Sequence, residues 1–370
     1  MSMLALVLKE SWSHVEADAD RLATDLYARL FHADPDLREL FPLAMTEQRA
    51  RLLVAIVSFM QMIDDPDRLD QHLRRLGRDH RRYQVEPEHY GIFGAALQES
   101  LREFSGARWC IEYDQAWRDA YDAMTTRMLT GVQSGTPAPA YWHAEVISHH
   151  RPTHDVAVFS CRPLDSLPYR AGQYVSLESP QHPRTWRNYS IANAPRPDGT
   201  LDFHVRARPD GWVSAALVRR LQVGEFIRIG EPCGTMTLDD ESNRDIVCVA
   251  GGTGLAPIKS IVEDVARNQR SRWVHVFIGA RDRADLYDLP ALQRLAARHP
   301  WLSVVVACSE DPTYPGERGP VNEVVEQYGP WPDHDFFVCG PPPMVRATLG
   351  SLTRLAAPPA RIRYDALTNG

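Results

Sequence analysis

The chain has 370 residues, too many for one typical core and suited to two or three domains. Hydrophobic content of 44% and charged content of 24% are ordinary for a globular protein, and a formal net charge of −7 gives no electrostatic support to a nucleic-acid or anionic-membrane role. No apolar run approaches the roughly 18 residues needed to span a bilayer, Met1 to Glu10 does not read as a signal peptide, and the six cysteines are scattered singly, outside any iron–sulfur spacing. A cytoplasmic protein is the expectation.

Residues 1–137 carry helical periodicity. Leu4, Leu8 and Trp12 recur at four-residue spacing, as do Leu22, Leu26 and Leu30, and Leu52, Ile56 and Met60. Pro35, Pro42, Pro66 and Pro87 stand where new helices begin. Helices are expected over roughly 3–18, 20–33, 46–63, 67–81, 88–104 and 110–133, packed on one another or around a ligand. His80 ends one of them, and Tyr90 follows ten residues later. A neutral imidazole nitrogen is a good ligand for haem iron, provided the other nitrogen finds an acceptor. A half-exposed histidine at a helix C-terminus is the plainer alternative.

The segment around His80 resembles the proximal-histidine region of bacterial globins. Tyr27 within Asp25–Phe31, followed by Phe41, resembles a distal tyrosine and the phenylalanine that wedges the haem. Gln48 and Leu52 fall where flavohaemoglobins carry a distal glutamine and leucine, and Ala116-Trp117 and Ala120-Tyr121 match the last globin helix. The resemblance implies His80 as axial ligand to haem b, Tyr90 as its orienter, and Tyr27 and Gln48 as hydrogen-bond donors that stabilise charge on bound dioxygen. Two departures stand out. Val132 occupies the place of a glutamate that completes the proximal network, and Asp79 precedes the histidine in place of the usual lysine. The globin is therefore expected to be more easily reduced, and less tuned for oxygen activation, than a typical relative.

Gln133 to Tyr141 is rich in Gly, Pro and Ala and reads as a linker. The period then changes to two, with turns at Pro197-Asp198-Gly199 and Pro209-Asp210-Gly211, so residues 138–240 are expected to form an antiparallel β-barrel of about six strands. Arg187-Asn188-Tyr189-Ser190 supplies an aromatic face, a small hydroxyl and a forked cation, the types that suit a flavin and its pyrophosphate. It resembles the Arg-x-Tyr-Ser signature of the ferredoxin-reductase superfamily. Tyr169–Val175 precedes it, and His204-Val205-Arg206, Gly211-Trp212-Val213-Ser214 and Gly230–Gly234 follow in that family's order. The resemblance implies FAD held by Arg187, Tyr189, Ser190, His204, Arg206, Gly211, Val213 and Ser214, with helix-terminal amides on the pyrophosphate.

Residues 241–370 read as an α/β doubly wound dinucleotide domain. The apolar run Ile246–Ala250 leads into Gly251-Gly252-Thr253-Gly254 and then a helical run, the arrangement in which backbone N–H groups cradle a pyrophosphate. Strand and helix then alternate to Cys339-Gly340-Pro341-Pro342-Pro343-Met344, which resembles the Cys-Gly-Pro-x-x-Met segment of NAD(P)H-dependent flavin reductases; it implies that Cys339, Gly340, Pro341 and Met344 meet the nicotinamide. Arg281 and Arg283 stand where a 2′-phosphate would be read, so NADPH stays open while NADH is favoured. Leu367 takes a place where the family often has an aromatic over the flavin. The closest likeness of this half is to the reductases of aromatic-ring oxygenases.

The whole chain, an all-α globin, an FAD barrel and an NAD(P)H domain, resembles the flavohaemoglobins. That resemblance implies a soluble, monomeric enzyme without a membrane span, in which electrons pass from NAD(P)H to FAD to haem, and dioxygen and nitric oxide become nitrate. A lipid in the distal haem pocket is compatible with Leu52 and its apolar neighbours. The alternatives are a haem and flavin electron-transfer or gas-sensing protein, and a plain NAD(P)H:acceptor oxidoreductase.

Overall fold

The computed structural model describes residues 2–133, 139–268 and 272–366, so Leu367 and most of the expected linker lie outside the described residues. The chain divides into two compact units, Met1–Ala140 and Tyr141–Gly370.

The first unit is helical: α1 Met3–Ser13, α2 Ala19–Ala33, α3 Thr46–Met62, α4 Pro66–Arg81, α5 Pro87–Ser105 and α6 Ile111–Gln133. Proline occupies the first turn of α4 and of α5, where its missing N–H costs nothing. The first helix ends at Ser13, earlier than its pattern implies, and a 3-10 turn at Glu16–Asp18 leads into α2. Leu8, Trp12, Leu22, Leu26, Leu30, Leu101 and Trp117 fill one core. The Trp117 indole N–H donates to Ser11 Oγ at 3.1 Å, so this core ring is also satisfied as a donor. Helices α4 and α6 meet through glycines. A Cβ on Gly77 would lie 2.1 Å from the Met128 carbonyl, and one on Gly131 would lie 2.3 Å from that of Arg74.

The second unit contains two sheets. Strands β1 Trp142–His150, β2 Val156–Pro163, β3 Tyr174–Glu178, β4 Arg187–Ser190 and β5 Leu201–Arg206, helix α7 Trp212–Arg219 and strand β6 Phe226–Ile229 form the antiparallel barrel in the order β4-β3-β6-β1-β2-β5. A bridge between Ile191 and Phe203 nearly closes it. Along β5, Leu201, Phe203 and Val205 are buried with Phe159 of β2, and alternation sends Asp202, His204 and Arg206 to the opposite face.

The other sheet runs β7 Asp245–Gly251, α8 Leu255–Arg267, β8 Val274–Ala280, α9 Leu289–Arg298, β9 Leu302–Cys308, β10 Glu317–Arg318, α10 Val321–Tyr328, β11 His334–Gly340, α11 Pro342–Arg354 and β12 Ile362–Ala366. Its order β10-β9-β8-β7-β11-β12 is parallel throughout, with apolar clusters on both faces. The order reverses between β7 and β11, and in such sheets ligands bind beyond the strand ends at that reversal. Barrel and parallel sheet make one unit: Ser260 of α8 donates to the Asn193 carbonyl at 2.7 Å, and Arg196, paired with Asp202 at 2.7 Å, lies 3.7 Å from Glu263. Among the described residues no helix is long and apolar enough to cross a membrane.

Candidate functional site

In the helical unit His80 closes α4, and its Nδ1–H donates to the Leu76 carbonyl at 2.8 Å. That bond fixes the tautomer and leaves Nε2 bare, with no hydrogen bond among the described residues. Burial lowers the pKa of His80, so the ring stays neutral and able to bind a metal. The orienting bond expected of Tyr90 is thus made by a backbone carbonyl. Tyr90 instead packs its ring at 6.4 Å from that of His80, and its own carbonyl accepts the Tyr121 hydroxyl at 2.7 Å.

Tyr27 of α2 is buried, and burial pushes its hydroxyl up to about 12. Gln48 of α3 donates from Nε2 to Tyr27 Oη at 3.2 Å. The phenol oxygen therefore acts as acceptor to Gln48, and its O–H is left to donate elsewhere. Phe41 stands edge-on to Tyr27 and to Phe31, both at 5.4 Å. The Phe41 loop is tied by Arg38, whose guanidinium donates to the carbonyls of Phe41, Pro42 and Leu43. Leu52, Val57, Phe59 and Ile63 are only half-buried against the core. A row of half-covered apolar groups together with a bare imidazole nitrogen fits a planar apolar iron cofactor: His80 would hold the iron, and Phe41 and Leu52 would line the ring.

In the barrel, β4 carries Arg187, Tyr189 and Ser190 in register with Leu177, Val175 and Tyr174 of β3. The Tyr189 hydroxyl and Ser190 Oγ are half-buried and make no hydrogen bond among the described residues. Burial raises the pKa of Tyr189, keeping it a neutral donor. Two unspent hydroxyls on one strand fit a flavin edge. At the start of α7 the Ser214 hydroxyl is used locally, donating to the Gly211 carbonyl at 2.9 Å and accepting from Arg208 N–H at 3.2 Å. The Val213 side chain is buried, so an anion here would meet backbone amides. His204 and Arg206 reach Tyr287 and Asp285 of the parallel-sheet half, at 2.9 and 3.0 Å.

The glycine-rich turn lies between β7 and α8. A Cβ on Gly254 would lie 2.3 Å from the Cys339 carbonyl, and one on Gly251 would lie 2.4 Å from Met344 Sδ. These glycines let the ends of β7 and β11 touch. Gly252, with φ of +54°, faces open space and is where a ligand can approach the backbone. Thr253 lies beside it in the 3-10 turn, while Gly340 and Pro341 abut Gly251. Cys339 is buried, and its thiol is pushed up by that burial and so held neutral. Opposite it in register on β12 is Asp365, whose carboxyl is also raised by burial. Sequence reasoning did not single out Asp365; only the β11–β12 pairing brings it to Cys339. Arg281 pairs with Asp285 at 3.1 Å, and Arg283 with Asp311 at 2.8 Å and Thr313 at 3.1 Å.

Residues 24–128 match the globin family, 143–238 the oxidoreductase FAD-binding domain and 248–349 the oxidoreductase NAD-binding domain. The electron transfer component of xylene/toluene monooxygenase from Pseudomonas putida is 36% identical over 221 residues, 59% of this chain and 63% of that one. A flavohemoprotein of Rhodopirellula baltica is 27% identical over 391 residues, 97% of this chain and 95% of its own. The crystal structure of the flavohemoglobin from Malassezia yamatoensis, solved with bound FAD and haem, superposes with a TM-score of 0.78 at 18% identity, covering 99% of both chains. A globin joined to FAD- and NAD-binding domains defines an NAD(P)H-dependent oxidoreductase whose cofactors are haem, FAD and NAD(P)H. Within that class, flavohemoproteins are similar to this chain over nearly its whole length, and the fold is that of a flavohemoglobin.

Proposed function

We propose that the protein is a nitric oxide dioxygenase driven by NADH. When bound, FAD takes electrons in pairs from the nicotinamide and passes them singly to haem iron, where dioxygen and nitric oxide combine to nitrate. The chain's own residues bind and orient. His80 presents Nε2 to iron because Leu76 holds Nδ1. Tyr189 and Ser190 offer hydroxyl donors to the flavin, and the glycine turn offers backbone amides to the dinucleotide. The observation that carries the reading is the bond from Gln48 to Tyr27: it commits the Tyr27 oxygen as acceptor, so its O–H points its proton toward a ligand on which negative charge develops.

A preference for NADH over NADPH rests on Arg281 and Arg283. Each is held by a carboxylate, and Asp311, kept at about 2 by its bonds from Arg283 and Thr313, stays charged at neutral pH. A 2′-phosphate would have to displace those acids. Initial rates of flavin reduction should give a lower KM for NADH; a lower KM for NADPH would overturn the preference.

The activity is tested with an electrode that follows nitric oxide in air, with nitrate counted at the end. NADH-dependent loss of nitric oxide, one nitrate for each molecule consumed, and loss of that turnover in Tyr27→Phe and His80→Ala are expected. NADH oxidation that leaves nitric oxide untouched would instead support an electron-transfer role. The likeness of part of the chain, 36% identical over 221 residues, to an oxygenase electron transfer component is what favours that second reading.

A further inference from the structure

Helix α8 grips the barrel along one stripe. Ser260, Glu263 and Arg267 stand three and then four residues apart, so they share a face of the helix. They meet three successive residues of the loop that follows β4. Ser260 Oγ donates to the Asn193 carbonyl at 2.7 Å, Glu263 Oε2 accepts the Ala194 N–H at 3.2 Å, and Arg267 donates to the Pro195 carbonyl at 2.7 Å. Ser260 Oγ also accepts the Gly172 N–H at 3.3 Å. One buried hydroxyl thus ties the approach to β3 to the exit from β4, beside the place where Tyr174 and Ser190 pair in register.

The gripped loop is itself fixed. Asn193 is wholly buried; its Oδ1 accepts the Asp202 N–H at 2.7 Å, and its Nδ2 donates to the Thr200 carbonyl at 2.9 Å. The Tyr169 hydroxyl donates to the Asn193 carbonyl at 3.0 Å, so both lone pairs of that carbonyl are taken, one by the barrel and one by α8. The Ala194 N–H asks only for an acceptor, and the charge on Glu263 is opposed by burial, which raises its pKa. At its N-terminus α8 follows directly on the turn Gly252–Gly254. One face of one helix is therefore the short path between the turn offered to a dinucleotide and the strand offered to a flavin. Reduction of a flavin by a nicotinamide needs the reacting groups in contact, and a displacement of about 1 Å slows such a step about a hundredfold.

We propose that Ser260, Glu263 and Arg267 are positioning residues for flavin reduction: they lock α8 to the loop after β4, so that a dinucleotide on the glycine-rich turn meets a flavin on β4 at one fixed separation. The inference rests on the dinucleotide and flavin readings of this unit and deepens them. None of the three touches either cofactor; each acts through backbone it holds in place.

The test is anaerobic stopped-flow reduction of the FAD-loaded protein by NADH over a range of NADH concentrations, with the long-wavelength charge-transfer absorbance of nicotinamide stacked on flavin followed alongside. Glu263→Ala should lower the reduction rate at saturating NADH about tenfold or more and weaken the charge-transfer band. The half-saturating NADH concentration and the FAD content should stay near those of the wild type. Glu263→Gln, whose amide oxygen still accepts from Ala194, should recover most of the lost rate. Arg267→Met changes an exposed side chain outside the core and should slow reduction in the same sense; it decides alone if Glu263→Ala does not fold. Reduction at the wild-type rate in the deciding variant overturns the inference, and so does a loss confined to NADH affinity. Wild-type protein that holds FAD but is not reduced by NADH overturns the dinucleotide reading and this inference together.

Discussion

An imidazole binds iron through whichever nitrogen its neighbours leave bare, and at His80, the proposed ligand, that choice would be made by the Leu76 carbonyl one turn back on the same helix. A backbone acceptor gives less electron push than a carboxylate would. The chain reinforces that at Val132, which follows Gly131 on the stretch of α6 that touches the backbone of α4 at Arg74. Val132→Glu puts a carboxylate on the helix that packs against the one bearing His80, and the haem midpoint potential should fall, read by spectroelectrochemical titration. A potential that stays put or rises would show that residue 132 does not reach the proximal side. His80, Tyr27 and Gln48 could be singled out in the sequence because each sits in a local pattern of helix spacing and flanking residues, and their roles are proposals. The Leu76 bond also obeys helix spacing, four residues back, but every helical residue has such a carbonyl, so nothing marked this one. The destinations of His204 and Arg206 were not legible at all: their partners Tyr287 and Asp285 lie 83 and 79 residues away in sequence, and only the packing of two sheets chooses them.

Secondary-structure elements were more legible than side-chain partners, because period and punctuation are local. Leu289–Arg298 and Leu302–Cys308 form as their patterns imply. One boundary that moved, the end of α1, sits where no proline or glycine marks it. What no period announces is the ionic centre under the parallel sheet. Asp335 at the start of β11 and Arg272 just before β8 have side chains only 1% and 2% exposed, paired at 2.6 Å, and Arg244 and Ser242 also bond the carboxylate at 2.9 and 2.7 Å. Burial opposes the charge on Asp335, but the bonds from Ser242 and Arg244 and the charges of Arg244 and Arg272 prevail, and its pKa is lowered. A carboxyl depressed in the folded state stabilises fully above its unfolded value, about 3.9, and that contribution fades as pH falls through the lower folded value. Reductase-unit stability should therefore drop with acid below about pH 4, and Asp335→Asn should flatten that drop. The same substitution at neutral pH leaves Arg272 buried without its counter-charge and should cost about 3–5 kcal/mol, read from the denaturant midpoint. A neutral-pH midpoint equal to wild type would mean that water or a neighbouring acid replaces the pair.

At the scale of the molecule, three sequence patterns become two structural bodies. The barrel and the dinucleotide half share a seam of named pairs, Ser260 with Asn193, His204 with Tyr287 and Arg206 with Asp285, whereas residues 1–140 enclose their own core of leucines and tryptophans. Seams of buried hydrogen bonds and ion pairs do not separate without leaving those groups unpaired, so the reductase body should behave as one cooperative folding unit. Residues 141–370, produced alone, should keep FAD and reduce ferricyanide with NADH at close to the full chain's rate, because every residue placed at the flavin and the dinucleotide lies within them. They should consume no nitric oxide, since His80, Tyr27 and Gln48 belong to the other body. The barrel without the parallel sheet should fare differently, because cutting after residue 240 exposes His204 and strands Arg206 without Asp285. Diaphorase activity that collapses when the globin is removed would show that the reductase body needs the globin for its own fold. Activity that survives would place the dependence of nitric oxide turnover in the delivery of electrons to His80's ligand site, and full-chain variants at His80 would then lose nitric oxide consumption while ferricyanide reduction continues.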